Sequence, residues 1–342
     1  MSNYFPAQTK VSPSYTEPGL IVTYVQPSGA FAALSEGKPR VKIGSEDLLV
    51  YMNRLDLRTN ASGSQSPENL LPSASFALDY YQTATYLLRI RSVWDHHDMN
   101  AAAHYAVGLP GALDLAMRQG IFLQMRSMLL YGFNPQFGEG LLNTTGATAV
   151  TLPPDTYGNT TTPTYDNGQL ALFFLNQIVS LKSRMYQSGG NIKNRIVVIS
   201  PQRVFLYLSM AAIVQVTSYQ RPGGGTSAAA AVVQDMTRAN GDSFEWYFDD
   251  TLIAQGAGGA DAVLLTMPEI EAPELPGINT NVFGSEMQPQ IQDVNVMYAD
   301  MAAPMKIPTP TPDGAITEIQ ELRCSSGWCI RPQGITIVSM PY

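Results

Sequence analysis

The chain has 342 residues, of which 45% are hydrophobic and only 14% are charged, against roughly 25% charged in an average soluble domain. So few charges fit a surface that other protein covers, because interface cores are depleted in charge; an ordinary loop-rich protein with 28 Gly and 24 Pro fits the same numbers. A net charge of −8, with 20 scattered Lys and Arg, excludes wrapping of nucleic acid by phosphate neutralisation, and no apolar run approaches the ~18 residues of a membrane span.

Met1-Ser2-Asn3-Tyr4-Phe5-Pro6 has no basic start followed by an apolar run, so no signal peptide is expected. Residues 1 to about 75 hold scattered Pro, Gly, Ser and Asn with short β-type runs such as Leu20-Ile21-Val22-Thr23-Tyr24-Val25. Such a stretch cannot bury itself and reads as extended arms or long hairpins packed on something else, with a loop tip at 59–67. From Ala84 to Trp94 the pattern alternates, with Leu88, Ile90, Ser92 and Trp94 on one side and Arg89 and Arg91 on the other, which predicts a half-exposed strand.

Asp95 or Asp98 is expected to cap a short helix that runs through Ala106 and stops at Gly108-Leu109-Pro110. Leu113, Ala116, Met117, Ile121 or Phe122, Met125, Met128 and Leu129 then recur at three- and four-residue steps, predicting a long amphipathic helix that ends at Tyr131-Gly132. A loop is expected through Pro163, followed by a helix capped by Asp166 or Asn167. Its core stripe is Leu170, Phe174, Ile178, Leu181 and Met185, and Gly189-Gly190 close it. Arg195–Ile199 reads as a buried strand leading into Ser200-Pro201, a helix start with Ser as cap. An Ala-rich helix is predicted at 227–237 and short strands near 244–253 and 262–267. Pro-punctuated loops fill 268–313, and a terminal hairpin uses Ala315–Arg323 and Cys329–Met340. Cys324 and Cys329 read as neighbours in that hairpin and are expected to be thiols.

Candidate chemistry is sparse. His96, His97 and His104 stand beside Asp95 and Asp98, but His97 and His104 lie ~10 Å apart along a helix, so a capped, solvated helix start explains them better than a metal site. Gly223-Gly224-Gly225-Thr226-Ser227-Ala228 matches the G-x-G-x-x-A form of the dinucleotide fingerprint, yet Arg221-Pro222 stands where the preceding strand should end, and a loop is the better reading. No P-loop or G-x-S-x-G elbow occurs. Glu269, Glu271 and Glu274 read as an acidic, proline-stiffened loop, and Asp249-Asp250 as a turn. The sequons at Asn60, Asn143 and Asn159 are expected to be chance matches.

After the long helix the chain reads Tyr131-Gly132-Phe133-Asn134-Pro135-Gln136-Phe137-Gly138-Glu139-Gly140-Leu141-Leu142-Asn143. This resembles the tailed-bacteriophage major capsid family, the Hong Kong phage-type fold shared with encapsulins, whose members often place G…GLLN just after a long spine helix. The order of elements from about 90 to 342 fits that family as well, including the strand entering Ser200-Pro201 and the closing strand before Pro341.

The resemblance implies an α+β fold with five parts. These are an N-terminal arm (1–40), an extended β-loop (41–94), a peripheral domain (95–195) with the spine helix at 111–131, an axial domain (196–312) and a return to the peripheral domain (313–342). It implies a non-enzymatic subunit with no catalytic, cofactor or metal residue, in which Gly140, Leu141, Leu142 and Asn143 are the motif positions. Partners implied are further copies in pentamers and hexamers, with portal, scaffolding and decoration proteins, around double-stranded DNA enclosed without sequence-specific binding and without a membrane. The location implied is the virion capsid, after synthesis in the host cytoplasm. The chain shows no long coiled or charged N-terminal scaffolding segment, so either the scaffold is expected to be a separate protein or the chain is a processed or compact form. Some relatives crosslink a Lys to an Asn of a neighbour; Lys38 and Lys42 lie near the loop, but no crosslink is expected. The alternatives are an encapsulin-like compartment shell and, resting on Gly223 to Ala228, a nucleotide-dependent enzyme.

Overall fold

The computed structural model describes residues 29–35, 40–58, 75–104, 108–185, 194–213, 227–239, 241–269 and 294–342. The arm up to residue 28, Lys38, the loop tip at 59–67, Gly189-Gly190, Gly223 to Thr226, and Glu271 and Glu274 lie outside the described residues. In chain order the first elements are α1 (Gly29–Ser35), β1 (Arg40–Lys42), β2 (Leu49–Arg58), β3 (Ser75–Trp94), α2 (His96–His104), α3 (Leu109–Tyr131), β4 (Thr148–Thr151), α4 (Asn167–Arg184), β5 (Arg195–Ser200) and α5 (Gln202–Met210). There follow β6 (Ala212–Ile213), β7 (Ser227–Ala228), α6 (Ala229–Ala239), β8 (Ser243–Phe248), β9 (Asp261–Thr266), β10 (Val296–Asp300), β11 (Met305–Pro310), β12 (Ile316–Ser325), β13 (Trp328–Cys329) and β14 (Ile335–Met340).

A five-stranded sheet in the order β4-β14-β9-β5-β8 divides the body, with β9 antiparallel to both neighbours and the outer pairs parallel. Successive side chains of a strand point to opposite faces, and here both faces are covered. Ile196, Val198, Val263, Leu265, Val338 and Met340 pack with α4, α5 and α6, while Val197, Ile199, Ala262, Leu264 and Ile335 pack with α1, α3 and β10. That double burial is why β5 and β9 are nearly continuous apolar runs.

The second sheet runs β1-β10-β12-β3-β2, with β11 on β12 and β13 on β10. The first half of β3 pairs with β2 as a long hairpin, and the second half pairs with β12 from Thr85–Ser325 to Trp94–Ile316. The predicted alternation holds: Ser92 and Trp94 are buried while Arg89 and Arg91 are exposed.

Local signals set several helix ends as expected. Asp95 and Asp98 form a reciprocal cap on α2: the Asp98 amide donates to Asp95 Oδ1 (2.8 Å) and the Asp95 amide to Asp98 Oδ2 (3.2 Å). In α3, Pro110 occupies the first turn, where its missing N–H costs nothing, so the helix begins at Leu109 rather than after the proline. Asp166 Oδ1 accepts from the Gln169 amide (2.9 Å) to start α4, and the stripe from Leu170 to Met185 is buried.

Other expectations are corrected. Part of the supposedly unburiable N-terminal stretch is core: α1 buries Ala30, Phe31, Ala33 and Leu34, with the Phe31 ring edge-on to Phe122 (5.6 Å) and Tyr298 (5.2 Å). A seven-residue helix shows too little periodicity to be read from sequence. Ser200 does not cap α5; it ends β5, and its Oγ accepts from the Trp246 indole (2.8 Å). The first α5 amide, on Gln202, instead donates to Asp250 Oδ1 (2.8 Å), 48 residues away in sequence. The Ala-rich helix starts at Ala229, because Ser227 and Ala228 pair with β6.

The expected loop through Pro163 contains β4, and the expected loops of 268–313 contain β10 and β11. β10 is buried at every residue, so it shows no alternation. The terminal hairpin does not form, because β12 and β14 join different sheets. Instead β12 continues past a one-residue slip in register into β13 along the same partner, with Asp300 opposite Cys324 and Val296 opposite Cys329. The two cysteines therefore follow one another along β10 and do not face each other; both are free thiols.

Candidate functional site

The motif segment after α3 is a joint at which three parts of the molecule are tied together. Gly132 ends α3 with φ +74, its amide bonded to Met128 O (3.1 Å), and Gly140 returns beside it with φ +85. A Cβ on Gly140 would lie 2.3 Å from Gly132 N and from Tyr131 C, and one on Gly132 would lie 2.4 Å from Glu139 O. Backbone meets backbone here, so no side chain can move aside, and both positions need glycine for φ as well as for space.

Between the two glycines, Glu139 gathers donors from separate elements. Its Oε1 accepts from the Tyr86 hydroxyl of β3 (2.5 Å), and its Oε2 accepts from the Asn134 amide and from Ser326 Oγ–H, both at 2.9 Å. Asn134 Nδ2 donates to the Tyr86 oxygen (2.9 Å), Ser326 Oγ accepts from the Phe133 amide (3.1 Å), and the Tyr86 and Phe133 rings stack at 4.4 Å. Burial, then the adjacent Glu139 carboxylate, raises the Tyr86 phenol above its usual range. Behind this network the β12–β13 bulge docks on the helix end: Gly327 donates to Met128 O (3.1 Å) and accepts from the Gly140 amide (3.0 Å).

Each motif position has a physical role. Gly140 supplies the conformation, Leu141 is fully buried in the core, Leu142 packs half-buried against it, and Asn143 Nδ2 closes the turn onto Tyr131 O (2.8 Å). Sequence reasoning found the motif but missed Tyr86, Glu139, Ser326 and Gly327. Glu139 carried a weak signal, a lone acid between two glycines; Ser326 carried none.

The remaining candidates are not brought together with this joint. His96 and His97 stack on each other (3.9 Å) at the exposed start of α2, and His104 ends that helix. Among the described residues no three His, Cys, Asp or Glu stand close enough for a metal ion. Asp249 caps the next turn through the Thr251 amide (3.0 Å) and approaches Arg126 (3.7 Å), and Glu269 pairs with Arg195 (3.6 Å). Burial pushes the Cys324 thiol up to about 11 and the Cys329 thiol up to about 12, against activation of either as a nucleophile.

Large apolar side chains stand exposed at several places. On the hairpin, Tyr51 and Tyr80 meet edge to face (5.6 Å) while remaining 57% and 59% exposed, with Leu48 and Leu49 exposed nearby. On α4, Leu172 and Val179 point out on one side, and Met210 and Met236 are exposed on α5 and α6. These groups stand on several faces of the described residues, on a chain with little charge.

No protein-family model matches the sequence, and no curated protein matches it. Solved structures do match, over 96% to 99% of the chain. The capsid of Myoviridae phage XM1 superposes with a TM-score of 0.68 at 10% identity, covering 96% of both chains. The capsid of the cyanophage P-SCSP1u gives 0.57 at 11% identity and 99% of both chains, and that of the native GTA particle gives 0.58 at 8% identity, covering 97% of this chain and 96% of the other. With the long helix, the two-stranded hairpin and the glycine joint in place, the α+β fold of this chain is the tailed-phage major capsid fold.

Proposed function

We propose that the chain is a non-enzymatic shell subunit that assembles as pentamers and hexamers into the icosahedral head of a tailed phage, enclosing double-stranded DNA. The observation that carries this reading is the match to capsid chains over 96% and 99% of the chain. The exposed apolar groups of the hairpin and of α4 to α6 supply surfaces for neighbouring copies. Many weak contacts repeated around a closed shell reinforce one another, so no single interface needs high affinity. A net charge of −8 suits a container that confines DNA without gripping it.

In this reading residues 1–40 are the arm, 41–94 the extended loop, 95–195 with 313–342 the peripheral domain, and 196–312 the axial domain. Gly140, Leu141, Leu142 and Asn143 hold the loop to the spine helix. Portal, scaffolding and decoration proteins are the expected partners, and the virion is the location. Expression of the chain, with any scaffolding protein, followed by negative-stain microscopy, tests the reading. Closed shells, tubes or capsomer rings are expected; a monomer that persists at high concentration with scaffold present would end the proposal. Shells that load a cellular enzyme and exclude DNA would point to a compartment instead.

A further inference from the structure

The five-stranded sheet ends at β8, and among the described residues no strand pairs with the outer edge of β8. At the two ends of the β5–β8 ladder the Ser243 amide donates to Asn194 O and the Asp249 amide to Ser200 O, so the odd-numbered residues turn their backbone groups toward β5. Alternate residues of a strand bond to opposite sides, and Phe244, Trp246 and Phe248 therefore turn N–H and C=O outward. The strand itself lacks the residues that usually protect an edge. It has no Pro and no Lys, its one charge, Glu245, is held by Arg195 (2.9 Å), and four of its six residues are aromatic. Such an edge is a template for another strand.

The sequence offers a candidate strand a short way upstream in the chain. Gly29 lies against β8 so closely that a Cβ there would be 2.6 Å from Tyr247 Cδ1, and 28 residues precede it. Four Cα steps upstream, within a reach of about 13 Å, ends the run Leu20-Ile21-Val22-Thr23-Tyr24-Val25, bounded by Pro18-Gly19 and Pro27. A strand added there would run ~4.8 Å from β8. The run carries no charge on either side, Leu20, Val22 and Tyr24 against Ile21, Thr23 and Val25, and Thr23 is its one small polar residue. A strand joining a sheet covered on both faces needs that composition, and at β8 both faces are covered: Trp246 packs on Phe174 (5.7 Å) and Phe205 (5.3 Å), and Tyr247 packs in the cluster that holds α1.

We propose that Leu20–Val25 of the same chain adds to the outer edge of β8 as a sixth strand. The inference concerns the folded subunit and stands whether or not the chain builds a shell. Residue-resolved hydrogen exchange on the full chain tests it. The amides of Phe244, Trp246 and Phe248 are expected to exchange at least about 100-fold more slowly than in an unstructured peptide. Val22→Pro removes a donor in the middle of the added strand and is expected to lose at least tenfold of that protection, while Glu245 and Tyr247, bonded to β5, keep theirs. Fast exchange at the three amides in the unaltered chain, or protection that Val22→Pro leaves unchanged, overturns the proposal. If Val22→Pro unfolds the whole sheet, two deletions decide: removal of residues 1–18 must keep the protection and removal of 1–26 must lose it. Recovery of protection in an isotope-labelled Val22→Pro chain on mixing with the unaltered chain would assign the edge to a second copy and overturn the same-chain strand.

Discussion

Gly140→Ala probes the joint with a control built into the molecule. Gly140 and Gly158 share φ +85, but a Cβ on Gly158 meets nothing within 4 Å, whereas on Gly140 it falls 2.3 Å from backbone atoms of Tyr131 and Gly132. The conformational cost of a side chain at such a φ is about 1–3 kcal/mol and applies to both variants. The steric cost, about 1–3 kcal/mol for a group forced into packed surroundings, applies only to Gly140→Ala. Its total of about 2–6 kcal/mol is a large part of the ~5–15 kcal/mol stability of a typical domain. Urea unfolding of the unassembled subunit, followed by fluorescence of its three tryptophans, measures both variants. With a slope of about 3 kcal/mol per molar urea, the midpoint of Gly140→Ala should lie about 0.3–1 M below that of Gly158→Ala. Equal midpoints would refute the backbone clash, and with it the account of why the motif needs this glycine.

Tyr86→Phe keeps the ring stacked on Phe133 but leaves Glu139 Oε1 without its donor, costing about 1–3 kcal/mol; faster proteolysis at the root of the β2–β3 hairpin reports it, and unchanged cleavage counts against the joint. Arg40→Ala strips the fully buried Asp300 carboxylate of its two-pronged partner (2.8 and 2.9 Å) and is expected to cost about 3–5 kcal/mol at pH 7. Burial already raises Asp300 above its usual value of 3.8, so the folded state holds that proton more tightly than the unfolded one. The loss in Arg40→Ala should therefore shrink as pH falls toward 4, and a loss that grows on acidification would contradict the assignment. Because burial raises both thiols, iodoacetamide at pH 7.5 should leave Cys324 and Cys329 unmodified in the folded chain and alkylate both in urea, which intact mass measures; rapid labelling of the folded chain would contradict it.

Sequence alone determined what depends on near neighbours in the chain. Asp95 with Asp98 and Asp166 with Gln169 cap helices from three residues away, α3 and α4 carry their core stripes at helical spacing, and β3 alternates because one of its faces is solvated. Gly140-Leu141-Leu142-Asn143 was legible through its resemblance to the capsid family, and its closest backbone contacts, to Tyr131 and Gly132, are local in the chain. What tertiary structure decided joins residues far apart. The cap of α5 comes from Asp250 rather than Ser200, Glu139 is answered by Tyr86 and Ser326, and the clip on β1 is Asp300, 260 residues from Arg40. β10 was hidden for a related reason, since a strand buried on both faces loses the alternation by which strands are read. The joint after the long helix was visible in sequence as a motif; that it fastens the hairpin and the β12–β13 bulge to one helix end follows only from partners that the chain brings together on folding.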